Sequence, residues 1–148
     1  MADRIEKTVE LNAPVERVWR ALTDHEEFGE WFRVKLDGPF VPGEVSTGQI
    51  TYPGYEHIKW NATIERMEAP RLFSFRWPHE GIEPDAGSAH DATTLVEFRL
   101  EPTSNGTRLT IIESGFDALP ANRRAEAFRM NEGGWEEQTR NIRAHVER

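Results

Sequence analysis

The sequence predicts an α+β domain in which a curved antiparallel sheet of about six strands wraps around a long C-terminal helix, with two short helices after the first strand. Three observations carry this. Several short segments alternate apolar and polar residues, the signature of strands with one buried face. Helical spacing interrupts them once near the start, and a single long apolar stripe at spacings of four and three closes the chain.

In the first strand Ile5, Val9 and Leu11 alternate with Arg4, Glu6, Thr8 and Glu10, and Lys7 breaks the inner face. Pro14 suits a first helical position, with Val15, Val18, Trp19 and Leu22 following at helical spacing. Asp24 opens a second short helix, paired with Glu27 in a capping-box-like arrangement. Between Gly38 and Gly54 the Pro and Gly residues leave a loop and one strand, about Val45 to Tyr52. Alternation returns from Lys59 to Met67, with Trp60, Ala62 and Ile64 on one face. A turn at Ala69 and Pro70 leads into Leu72 to Trp77, where Phe73, Phe75 and Trp77 share a face.

Pro78 to Asp91 is rich in Gly, Pro, Asp and Ser without periodicity, which predicts a long loop able to act as a lid. Thr93 to Glu101 and Thr107 to Ser114 flank Ser104, Asn105 and Gly106 as a hairpin, with Val96, Phe98, Leu100, Leu109, Ile111 and Glu113 facing inward. After Pro120 the residues Ala121, Ala125, Phe128, Glu132, Trp135, Thr139, Ile142 and Val146 form the stripe of the final helix. No repeat or second domain is visible.

Composition bounds the function. At 148 residues, with 37% hydrophobic residues, five Trp and eight Phe, the chain is of single-domain size with a ring-rich core. A formal charge of -8 repels phosphate backbones and argues against a nucleic-acid partner. No run is long enough for a membrane span, and Met1 to Glu10 is too charged for a signal peptide, so the expected compartment is the cytoplasm. The absence of cysteine excludes disulfides, thiolate metal sites and cysteine nucleophiles.

Chemistry-bearing motifs are sparse. No His-x-x-x-His spacing, Gly-x-Ser-x-Gly elbow or phosphate-binding glycine loop occurs, so neither metal nor cofactor is expected. Trp60, Phe73, Phe75, Trp77, Phe98, Phe128 and Trp135 fall on inward faces and are the candidates to line an apolar cavity, or else fill a core. Glu113 and Glu132 each interrupt an apolar inner stripe. A buried carboxylate needs compensation, whether from a ligand, from Arg66 or Arg76, from a raised pKa, or from water at an exposed register. Tyr55 and His57 are polar candidates at a cavity mouth, as are His79 and His90. Gly133 and Gly134 weaken the final helix, which points either to a kink or close approach to the sheet beside Trp135, or to a helix loosened for ligand entry.

Specific segments resemble a known family. Asn12-Ala13-Pro14-Val15-Glu16-Arg17-Val18-Trp19-Arg20-Ala21-Leu22-Thr23-Asp24 resembles the opening signature of AHSA-like proteins, relatives of the C-terminal domain of the heat-shock-protein-ninety ATPase activator. Glu68 to Trp77 is similar to that family's middle hairpin, Gly106 to Phe116 to its last strand, and Gly134-Trp135 to the Gly-Trp pair of its final helix. The resemblance implies the helix-grip fold (START-like, SRPBCC, Bet v-like), whose members include lipid and flavonoid binders, polyketide cyclases and co-chaperone modules. It departs at Glu113, where many relatives carry His, and in having one domain where the eukaryotic activator adds another. The leading expectation is a binding protein for a hydrophobic or aromatic small molecule (lipid, polyketide or flavonoid-like), held between sheet and final helix. A polyketide cyclase or lyase-like enzyme and a stress-response protein with a chaperone partner are the alternatives. The sequence carries no signal of oligomeric state.

Overall fold

A computed structural model describes residues 4–78 and 93–147. Strand β1 (Arg4–Leu11) leads into α1 (Val15–Thr23) and α2 (His25–Phe32). There follow β2 (Val34–Leu36), β3 (Val45–Ile50), β4 (Lys59–Glu68), β5 (Leu72–Pro78), β6 (Thr93–Thr103) and β7 (Gly106–Ser114), then a 3-10 turn (Phe116–Ala118) and α3 (Ala121–Val146). The strands form one seven-stranded antiparallel sheet in the order β1-β7-β6-β5-β4-β3-β2.

The sheet has one strand more than the six or so expected, because β2 is only three residues long and too short to show a period of two. What makes β2 is the end of α2. Arg33 adopts a left-handed conformation (φ 71°), so the chain reverses and Val34 pairs with Ile50. The helix returns so close to the new strand that a Cβ on Gly29 would stand 2.4 Å from the Val34 carbonyl oxygen, which only glycine tolerates.

Asp24 caps α2 as expected, accepting from the backbone N–H groups of Glu26 and Glu27. Glu27 does not complete a capping box. Its carboxylate accepts instead from Arg17 and Arg20 and lies 2.9 Å from the buried His145 on α3.

The inner face carries the core. Ile5, Val9, Leu11, Trp60, Ala62, Ile64, Phe73, Phe75, Val96, Phe98, Leu100, Leu109 and Ile111 are all buried. A register shift between Ile64 and Arg66 marks a bulge in β4, a device that bends a strand and increases its twist. Against this face α3 is not uniformly packed. Its buried residues are Trp135, Ile142, His145 and Val146, and none lies between Ala121 and Gly134. The helix is gripped by its C-terminal half and stands off under its N-terminal half.

The stripe of α3 is shifted from the expected register. Phe128, Trp135, Ile142 and Val146 face inward, but Asn131 and Gln138 are turned further inward than Glu132 and the exposed Ala121 and Ala125. Glu132 is half exposed, with its carboxylate 3.9 Å from Lys7. The expectation that Glu132 interrupts a buried stripe is thereby corrected. The sequence offered polar residues at both candidate positions, so apolar spacing could not choose between them.

Candidate functional site

The standing-off half of α3 leaves a cleft of about 770 Å³ between the helix, the end of α2, and the sheet edge with its β3–β4 connection. Four regions build its walls. The sheet side brings Trp60 from β4 and Trp77 from β5, and α2 contributes its last residue, Phe32. The β3–β4 connection contributes Tyr52, Tyr55 and Ile58, and α3 contributes Ala127, Met130, Asn131, Gly133, Gly134, Glu137 and Gln138.

The rings meet at the inner end. Trp77 stacks on Trp135 with centroids 5.6 Å apart and planes 22° from parallel, while Trp60 meets Trp77 edge-on at 5.7 Å. Phe32 lies 6.3 Å from Trp77 and 6.2 Å from Trp135. A side pocket of about 100 Å³ opens between Phe32, Trp77, Asn131, Gly134, Trp135 and Gln138.

Behind this wall lies Glu113, wholly buried. The Trp135 indole N–H donates to Oε1 at 2.8 Å and the Trp77 indole N–H to Oε2 at 2.9 Å. The Asn131 amide reaches both oxygens at 3.0 Å, and the Thr94 hydroxyl donates to Oε2. Indole and amide N–H groups can only donate, so the carboxyl serves them as acceptor. The cost of burying it is thus offset, among the described residues, by four neutral side chains. Arg66 and Arg76, the compensating cations the sequence suggested, sit elsewhere, paired with Glu68 and Glu65.

At the outer end Tyr52 joins the two walls. Hydrogen bonding to Glu137 on α3 is the largest influence holding its phenol above the usual tyrosine pKa. Its ring also meets Tyr55 at 5.8 Å and lies under the Arg33 guanidinium.

The structure divides the sequence's candidates. Trp60, Trp77 and Tyr55 line the cleft, and Trp135 closes the side pocket. Phe73, Phe75 and Phe98 are fully buried core residues off the cleft wall, and Phe128 packs on Phe116 at 5.1 Å. Glu113 stands behind the wall rather than on it, and His57 is exposed beside the cleft without lining it. His79, His90 and the loop expected to act as a lid lie outside the described residues, apart from Pro78, which lines the cleft. Among the described residues no group of His, Asp and Glu is arranged to hold a metal ion, and no helix is long and apolar enough to cross a membrane.

Sequence reasoning missed Phe32, Asn131 and Gln138. For Phe32 the signal was present, since Phe28, Trp31 and Phe32 recur at three and four, and all three are buried. Gly133 and Gly134 are not sites of close approach. A Cβ at either would meet nothing within 4 Å, the helix runs through them unbroken, and both line the cleft.

Comparison with known proteins agrees with this architecture. Residues 12–147 match the family described as Activator of Hsp90 ATPase homolog 1-like protein. No curated protein matches significantly. Among solved structures the chain is similar to DynU16, a protein of the dynemicin biosynthetic locus, with 22% identity and a TM-score of 0.77. That match covers 99% of this chain but 48% of DynU16, so the chain spans about half of that protein's length. It is similar to protein MLL2253 from Mesorhizobium loti at 20% identity, with a TM-score of 0.77 and coverage of 97% and 96%. With protein BH1534 from Bacillus halodurans the identity is 26%, the TM-score 0.72 and the coverage 98% and 97%. These likenesses confirm the α+β helix-grip fold, and the match along residues 12–147 shows that the chain belongs to the Activator of Hsp90 ATPase homolog 1-like family.

Proposed function

We propose that this protein binds a hydrophobic or aromatic small molecule in the cleft between α3 and the sheet. The observation that carries the reading is the cleft itself: about 770 Å³, within the range of ligand sites, walled by Phe32, Tyr52, Tyr55, Trp60 and Trp77 and provided with a few polar groups. The indole N–H groups of Trp60 and Trp77 are already engaged, by Ser46 and Glu113, so these walls offer ring faces and edges rather than donors. Glu113 is sealed behind them with both oxygens engaged, an arrangement suited to holding a wall in place rather than to taking a proton from a substrate.

A thermal-shift screen against flavonoids, phenols, fatty acids and sterols, followed by tryptophan quenching, tests the proposal. A planar aromatic at about 100 times its Kd should stabilise the fold by about 2.7 kcal/mol, raising Tm by roughly 5 to 10 °C. Absence of a saturable shift with every class would overturn it and redirect the search to a protein partner.

A further inference from the structure

The inner end of the cleft has a polar feature that the aromatic walls do not explain. Asn131 lines both the cleft and the side pocket. Its carboxamide has two different ends, and Glu113 decides which faces where. A carboxylate whose two oxygens each accept from one indole offers the amide only acceptors, so the Nδ2 end turns to Glu113 and contacts both oxygens at 3.0 Å. The Oδ1 end is left on the far side. Among the described residues nothing donates to Oδ1, an acceptor on a side chain that lines both the cleft and the side pocket. The other amide at this end is already held at both ends: Gln138 donates to the Phe32 carbonyl and accepts from Asn141.

Beside Asn131, Gly134 lines both spaces and offers no side chain, with nothing within 4 Å of where its Cβ would stand. The helix weakened by two glycines thus gains room for a flat group against its backbone, opposite Trp77. Glu113 is the positioning residue: it fixes the two indoles and the amide in one hydrogen-bonded set.

We infer that the inner end of the cleft is a subsite for a hydroxylated planar aromatic. The ring lies between Gly134 and Trp77, and its phenolic hydroxyl donates to Asn131 Oδ1. This rests on the cleft being a ligand site, as proposed above, and adds the chemical feature the ligand must carry.

The test compares 2-naphthol with 2-methoxynaphthalene, which keeps the ring but has no donor, by equilibrium dialysis against the full chain. Wild type should bind 2-naphthol about 3- to 10-fold more tightly, the worth of one net hydrogen bond. Asn131→Leu should erase that preference, read as the ratio of the two probes' affinities within the variant. Gly134→Leu, which leaves the Asn131–Glu113 contact intact, should weaken both probes at least about tenfold by filling the subsite. Equal binding of the two probes to wild type, or a preference that survives Asn131→Leu, overturns the subsite and leaves the binding proposal standing. If neither probe binds wild type, the subsite is overturned too, while the binding proposal is judged by the thermal-shift screen across all ligand classes. Should Asn131→Leu not fold, the wild-type comparison and Gly134→Leu still decide.

Discussion

Glu113 interrupts a row that is otherwise apolar: in register across the sheet run Ile5, Glu113, Val96, Phe75 and Ile64. A carboxylate in such a place survives because its neighbours donate, and two of those donors are indoles that have no alternative acceptor role. Glu113→Gln therefore cannot be neutral. The Thr94 hydroxyl can reverse its hydrogen bond, but either orientation of the new amide sets its N–H₂ against Trp77 or Trp135. One buried donor left unsatisfied should cost about 1 to 3 kcal/mol in denaturant unfolding. A change within about 0.5 kcal/mol would show that the hydrogen-bonded set does not hold the wall. The residue itself was legible from sequence as an acid on an apolar face. Its donors were not, since Trp77, Thr94, Asn131 and Trp135 lie 36, 19, 18 and 22 residues away and only the folded register brings them together.

At the level of elements, α3 divides its labour. Its N-terminal half forms a cleft wall, and its C-terminal half is clamped to α1 and α2. Gln138 donates to the carbonyl of Phe32 at the end of α2, and His145 meets Glu27, which also receives Arg17 and Arg20. Burial pushes the Glu27 carboxyl up, but hydrogen bonds from His145 and Arg17 and the charges of Arg17 and Arg20 outweigh it, leaving its pKa below the usual value of 4.5. A carboxyl depressed in the folded state stabilises the protein above its unfolded pKa, and that stabilisation is lost as pH falls through the folded value. Melting curves between about pH 6 and pH 3 should thus show a steeper fall in Tm for wild type than for Glu27→Gln, with the variant already less stable at neutral pH. Parallel slopes would contradict the clamp. This end of α3 was only half readable: the apolar positions 135, 142 and 146 marked the face, whereas the polar positions 138 and 145 that complete it carry no hydrophobic signal.

On the scale of the whole molecule, the strands with clear alternation were legible, and so were the hairpin at Ser104–Gly106 and the enclosing of a long helix by a curved sheet, because each depends on local periodicity or turn chemistry. The three-residue β2 and the location of the open space were not. A pocket is the difference between where rings are and where they could have been, and the same seven inward aromatics would have served a solid core. The structure sorts them: Phe73, Phe75 and Phe98 fill the core, while Trp60, Trp77 and Trp135 gather where α3 stands off. Five tryptophans give this arrangement its own reporters. The direct test is a two-dimensional NMR titration of the tryptophan indole N–H signals with 2-naphthol. The indole signals of Trp60, Trp77 and Trp135 should move together and saturably, while that of Trp31, whose N–H is held by the Ala21 carbonyl away from the cleft wall, should move far less. Saturating ligand that leaves Trp77 and Trp135 unmoved would contradict a binding site in this cleft.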